Sequence, residues 1–266
     1  LRRLQGCHYH ATWDRSGLKK LTAYTGWSLI GATSHAMMTQ GHSILLNIFF
    51  GPVINAAKGI ADRVKNYSLL FSSNIFLAIA PQITKSYATG ATAYMHRIVF
   101  ASTRLSFLLM LVVAFPLIME MRPLLSLWLG AESVTAETTS FSIYSLVVVL
   151  IACFEAPLTK VVQATGNVKS YEVVVGIITL LFIPLSYLLL KAGLSADTTF
   201  ITMNIIYFVA LFYRLHRVRQ LVGLSYRTYL HRVVLPIAVV TTVVAAACWL
   251  SVATVAPHLP LAARLA

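Results

Sequence analysis

From residue 233 to 255 the chain runs VVLPIAVVTTVVAAACWLSVATV without one charged side chain, and the pattern recurs. Residues 173–190 and 198–213 are also uncharged, residues 98–119 carry only Arg104, and residues 138–158 carry only Glu155. A helix needs ~20 apolar residues to cross a hydrocarbon core of about 30 Å, and several of these runs approach or reach that length. No strand-period alternation of apolar and polar residues recurs, which sets a transmembrane barrel aside. The composition agrees: 58% of residues are hydrophobic, 11% are charged, and the mean hydropathy is +0.77, whereas a soluble domain carries about 25% charged residues. The fold class that follows is all-α, a polytopic transmembrane helical bundle.

The most informative stretch is residues 47–90, which reads as one long helix behind the Gly51-Pro52 turn. Lys58, Asp62, Arg63 and Lys65 crowd its first half, and Pro81 lies near its far end, where it is expected to kink the helix or free a carbonyl. Its uncharged part, residues 66–82, spans only about 26 Å at ~1.5 Å per residue, so the charged turns are drawn at least partly into the membrane. Burying such groups against lipid costs several kcal/mol, so they are expected to face water or one another. Lys58, Asp62 and Lys65 recur at i, i+4 and i+7, so Asp62 can pair with either lysine.

Seven spans account for the pattern: residues 21–50, the 47–90 stretch, and five more near 98–119, 138–158, 173–190, 198–213 and 233–255. Residues 124–130, with Trp128, read as an interfacial segment. Alternating loops then place Arg2, Arg3, Arg15, Lys19, Lys20, Lys85, Arg97, Lys160, Lys169, Arg214, Arg217, Arg219, Arg227 and Arg232 on one side. The other side holds only Arg122, Lys191 and Arg264. Cytoplasmic loops carry the excess of Lys and Arg, so the first side is cytoplasmic. The chain divides into a basic cytoplasmic segment (1–20), a six-helix membrane repeat (21–213), a basic cytoplasmic loop (214–232) and a further helix with its tail (233–266). The net charge of +13 is explained by these loops and not by nucleic acid as a partner.

The first span is unusually polar, and His35, Thr39 and His42 share one face at i, i+4 and i+7. That face either hydrogen-bonds neighbouring helices or lines a cavity. Cys7, Cys153 and Cys248 lie too far apart for a disulfide framework, and the Cys7, His8, Tyr9, His10 cluster is a short tract without partners for a metal. No metal and no cofactor is expected. There is no carboxylate pair, nucleophile–base pair or glycine-rich phosphate loop, so the chain is not read as an enzyme. It opens on Leu1, Arg2 and Arg3 with no methionine and no signal peptide, and a preceding part of the protein is expected.

The wording of several motifs is similar to one family. These are Gly26-Trp27, residues 41–47 (GHSILLN), Phe49-Phe50-Gly51, residues 55–61 (NAAKGIA) and Pro81-Gln82-Ile83 with Lys85, Tyr87 and Gly90. They continue in Leu127-Trp128-Leu129-Gly130, Gln163-Ala164-Thr165-Gly166, Lys169, Tyr171 and Pro184-Leu185-Ser186-Tyr187 before Lys191 and Gly193. In order and spacing they resemble the bacterial lipopolysaccharide and polysaccharide biosynthesis flippases of the multidrug/oligosaccharidyl-lipid/polysaccharide exporter superfamily, over residues 17–232. The resemblance implies two similar six-helix halves opening to alternate sides, of which this chain holds the second plus one following helix. The missing N-terminal half is an expected partner, since transport needs both repeats.

The resemblance implies movement of an undecaprenyl-pyrophosphate-linked oligosaccharide across the cytoplasmic (inner) membrane of a bacterium, with this lipid-linked oligosaccharide and membrane lipid as partners. A cationic, water-filled groove lowers the cost of carrying phosphates and sugars across. Lys58, Arg63 and Lys65 are the candidates for phosphate contact, with Asp62 tempering their affinity. Arg104 and Lys160 are placed to receive the headgroup on the cytoplasmic side. Asn47, Asn55, Asn66, Asn74, His35 and His42 are candidate sugar contacts. Glu155 either snorkels to the interface, pairs with a neighbouring lysine, or is a proton- or ion-coupling carboxylate. Two other readings stand beside this one, a multidrug or cation antiporter of the same superfamily and a non-transporting membrane scaffold.

Overall fold

The structure, a computed structural model, describes residues 14–254; the Cys7, His8, Tyr9, His10 cluster, Arg2, Arg3 and Arg264 lie outside them. Helix α1 (Arg15–Phe50) is followed by α2 (Pro52–Ala88), α3 (Thr92–Met119), the short α4 (Met121–Leu129), α5 (Ala136–Thr165), α6 (Lys169–Leu180), α7 (Phe182–Lys191) and α8 (Asp197–Val222). A last column joins α9 (Tyr226–Tyr229), a π-helical turn (Leu230–Val234) and α10 (Leu235–Thr254). No strand occurs among the described residues. Five columns are long and apolar enough to cross a membrane: α3, α5, Lys169–Lys191, α8 and Tyr226–Ala247. Helices α1 and α2, at 36 and 37 residues, are longer but more polar and are not among these five; they occupy the positions of the first two of the seven expected spans.

The helix ends follow local chemistry. Asp14 caps α1, its carboxylate accepting from the Ser16 amide at 2.9 Å. Backbone N–H groups of Gly17 and Ser16 hold that carboxyl below its usual range, so the cap is present near neutrality and is lost as pH falls through the lowered value. Gly51 turns α1 directly into α2 with φ 80° and ψ −176°, a backbone region that glycine alone enters without penalty. Thr135 caps α5, accepting from the Thr138 amide at 3.2 Å. The predicted span at 173–190 is interrupted at Leu181, because Pro184 has no N–H to give the carbonyl of Leu180. Two predicted loops are helical. α5 continues through Pro157 to Thr165, and α8 continues to Val222, so Lys160, Arg214, Arg217 and Arg219 lie on helices.

Helix α5 stands at the centre, packed against α2, α3 and α8, while α1 lies along α6, α7 and α2. Two large apolar cores form around it, beside a smaller cluster of Met121, Leu125, Val134 and Leu146. One joins α3, α5 and the ends of α2, α8 and the π turn through Ile83, Val99, Met110, Cys153, Leu158, Val218 and Val233. The other joins α1, α2, α5, α7 and α8 through Met38, Leu46, Ala61, Phe141, Phe182, Phe200 and Met203, with the Phe141 and Phe200 rings stacked at 4.2 Å. The short α4 turns Met121 and Leu125 inward and leaves Leu127 and Trp128 exposed, as an interfacial helix should.

Buried serines and threonines line these interfaces, and most donate to carbonyls of their own helix, as Thr103 does to Val99 at 2.8 Å and Ser142 to Thr138 at 2.7 Å. Side chains satisfied this way let helices approach closely in a membrane. The closest approach is α1 on α6 and α7. A Cβ on Gly41 would stand 2.8 Å from Ile183, and one on Gly176 would stand 2.8 Å from the Ser34 hydroxyl. Gly59, in contrast, has nothing near it. Gly41→Val is therefore expected to destabilise the detergent-solubilised protein by about 1–3 kcal/mol through overpacking. Gly59→Ala is expected to be neutral or to stabilise by up to ~1 kcal/mol. Thermal unfolding of the two variants side by side checks both.

Candidate functional site

The residues singled out in the sequence fall into two sets. One set turns into the bundle. Lys58 is buried, and its ammonium donates to Asp62 Oδ2 at 2.6 Å; Lys65 donates to Asp62 Oδ1 at 2.6 Å. One carboxylate thus bridges two lysines three and four residues away, leaving the triad a net charge of +1. His42 is also buried, sharing a 2.7 Å hydrogen bond with Thr199 Oγ1 and lying edge-on to Phe182 and Phe200 at 5.1 and 4.8 Å. His35, two turns earlier on the same face of α1, shares a 3.1 Å hydrogen bond with the Tyr207 hydroxyl. The two histidines therefore meet α8 in different ways: His42 is locked in the core, and His35 borders open space.

The second set faces away. Arg63, Asn66 and Asn74 on α2, Arg104 on α3 and Asn47 at the end of α1 are exposed, and Asn55 is half-buried. Arg63 does not join the lysine–aspartate triad as a third cation, because on α2 it points to the other side of the helix. Lys160 is half-buried on α5 and donates to Gln163 Oε1 at 3.2 Å.

Glu155 has a partner other than the lysine expected for it. It is buried, and it forms an ion pair with Arg214 of α8. The Arg214 Nε also donates to the Tyr171 hydroxyl at 2.9 Å, which shares a 3.0 Å bond with Thr159 Oγ1. Arg214 thereby joins α5, α6 and α8 through one guanidinium. Sequence reasoning missed it by placing residue 214 in a loop, one position past the end of the predicted span. The requirement that a carboxylate inside a membrane find a cation at its own depth was the available signal.

Next to this pair lies a cavity of about 270 Å³ between α1, α5, α6 and α8. His35, Tyr207, Arg214, Tyr171, Thr159, Gln163 and Glu172 supply its polar wall, and Met38, Val175 and Ile206 its apolar one. Members of both apolar cores reach it, so it separates them. Glu172 lies over Gly31, where a Cβ would stand 2.0 Å from its carboxylate oxygen. The cavity is polar but not strongly cationic, because Glu155 answers the charge of Arg214 and Glu172 adds a negative one. Among the described residues no group of His, Cys, Asp and Glu stands close enough to hold a metal ion.

A family model, MatE, matches residues 33–188, more than half of the chain. The chain belongs to the MatE family. The matched region takes in His35, the lysine–aspartate triad, Glu155, Tyr171 and Glu172, and it ends before Tyr207 and Arg214. MatE proteins are membrane transporters or flippases of the multidrug/oligosaccharidyl-lipid/polysaccharide exporter superfamily, and this chain is a multi-pass membrane protein of that kind. No curated protein and no solved structure matches the chain.

The buried ion pair gives a direct test. Arg214→Ala leaves Glu155 uncompensated and is expected to cost about 3–5 kcal/mol of stability. The double variant Glu155→Met with Arg214→Met removes both charges and is expected to recover most of that loss. A thermal-unfolding mutant cycle in detergent reads both numbers.

Proposed function

We propose that this MatE chain is one repeat of a flippase that carries a lipid-linked oligosaccharide, with its pyrophosphate, across the cytoplasmic membrane of a bacterium. The observation that carries the reading is the outward face of α2. Gly59, Arg63, Asn66, Leu70 and Asn74 recur along one exposed side of that helix. Arg63 lies about 17 Å along the helix from Pro52 at ~1.5 Å per residue, at membrane depth. A cation there facing lipid costs ~3 kcal/mol or more. That cost is avoided if a second repeat of the protein covers the face and encloses a water-filled groove. Such a groove offers Arg63 to phosphate and Asn66 and Asn74 to sugar hydroxyls. The triad of Lys58, Asp62 and Lys65, on the other side of α2, adds its net positive charge behind it. Arg104, exposed on α3, is a further candidate for the headgroup. The chemistry is binding and release, with no bond broken.

One observation favours a second reading. Glu172 lines the interior cavity with Glu155 beside it, and acidic side chains in such a cavity suit a cationic drug or a coupling ion.

In the complete protein, Arg63→Ala is expected to lower surface-polysaccharide export at least tenfold, since losing one charge-assisted contact is worth ~1.5–3 kcal/mol. Arg122→Ala, on the opposite membrane side from the basic loops, is expected to leave export unchanged. Export that survives both Arg63→Ala and Lys58→Ala removes the phosphate-groove reading. Efflux of a cationic dye that responds to Glu172→Gln and not to Arg63→Ala establishes the antiporter in its place.

A further inference from the structure

A second recess, of about 300 Å³, lies where the first turns of α3 meet the segment that follows α8. His96, Arg97 and Phe100 line it from α3, and Ser225, Thr228 and Arg232 from the other side. Its lining includes no aspartate or glutamate. Arg97 and Arg232 are exposed at its mouth, while Phe100 is buried beneath, edge-on to the buried Tyr229 ring at 6.0 Å. The recess is braced: His96 Nε2 shares a 3.2 Å hydrogen bond with the carbonyl of Val222, tying α3 to the end of α8. Arg232 sits within the π-helical turn Leu230–Val234, and such turns inside helices concentrate at functional sites.

We propose that this recess binds the phosphodiester headgroup of an anionic phospholipid of the cytoplasmic leaflet. Two guanidiniums and two hydroxyls converge on one concave site without a counter-charge, which is the donor set a phosphate monoanion needs. The loop-charge asymmetry puts Arg97 and Arg232 on the cytoplasmic side, where a membrane presents its anionic lipids. The surface beyond the recess fits the rest of a lipid. Leu235, Val239 and Val243 follow Arg232 at helical spacing and are all exposed on α10. They form an apolar stripe along which acyl chains lie while the headgroup stays at the arginines. A soluble phosphate would use the arginines and leave that stripe without a role. The site concerns the lipid around the protein and holds whichever substrate the bundle carries.

Native mass spectrometry of the full chain in detergent, titrated with phosphatidylglycerol and with phosphatidylcholine, tests the assignment. Phosphatidylglycerol is expected to bind more tightly, and the preference is expected to fall about fivefold for Arg97→Gln or Arg232→Gln and ~30-fold for both. The pair Arg97→Lys with Arg232→Lys is expected to keep most of it, and Arg122→Gln all of it. Circular dichroism checks that each variant retains its helicity, and the single and lysine variants decide the question if the double glutamine variant does not fold. Equal binding of the two lipids, or a preference unchanged in the glutamine variants, overturns the proposal. Displacement of phosphatidylglycerol by millimolar inorganic phosphate also overturns it, in favour of a soluble anion.

Discussion

A charge inside a hydrocarbon slab must be answered by another group of the protein, and in this chain that constraint shapes the middle of the bundle. Arg214 reaches from α8 to Glu155 on the central helix α5 and to Tyr171 on α6. Three helices are thereby held at one depth and in one rotation, because a guanidinium satisfied by both a carboxylate and a phenol tolerates little displacement. The Lys58, Asp62, Lys65 triad solves the same problem within a single helix. The contrast has a physical meaning. The triad can form before any tertiary contact exists, whereas the Glu155–Arg214 pair exists only once α5 and α8 have met.

The apolar packing is arranged around this polar layer. Two cores, one through α3 and α5 and one through α1, α7 and α8, meet at the cavity lined by His35, Tyr207 and Arg214. Lipid is as apolar as a leucine side chain, so hydrophobic transfer gives helices little reason to associate in a membrane. Close approach and hydrogen bonding take its place. Gly41 against Ile183, Gly176 against Ser34, and His42 on Thr199 between two phenylalanine rings are contacts of that kind. The polar side chains of the interior hold it together.

Much of this was legible in the sequence, and the rest was hidden for identifiable reasons. Uncharged runs of span length, and the Gly51-Pro52 break between two long helices, need only local rules. So does the pairing of Asp62 with Lys58 and Lys65, which follows from helical spacing. The partner of Glu155 is 59 residues away, and no local rule reaches that far. Arg214 was further disguised by its position just past an apolar run, where an arginine ordinarily belongs to a loop. The shared face of His35 and His42 was visible, but spacing alone left open whether it lined a cavity or packed on a neighbour. It does both, because the cavity closes between the two residues. α5 passes through Pro157, whereas the column containing Pro184 breaks at Leu181.

The turn at Gly51 has a mechanical consequence. Helices α1 and α2 are joined by that one residue, so the connection holds no slack. Neither helix can advance by a turn of about 5.4 Å past the other without unwinding an end. The remaining freedom is rotation about two dihedral angles at a single point. Any tilting of one helix is then passed to the other as a change of opening angle, largest at the ends farthest from Gly51. Those are the ends that the charge asymmetry assigns to the cytoplasm. The pair is jointed like dividers at Gly51, so that a small rotation there corresponds to a wide displacement of the opposite ends.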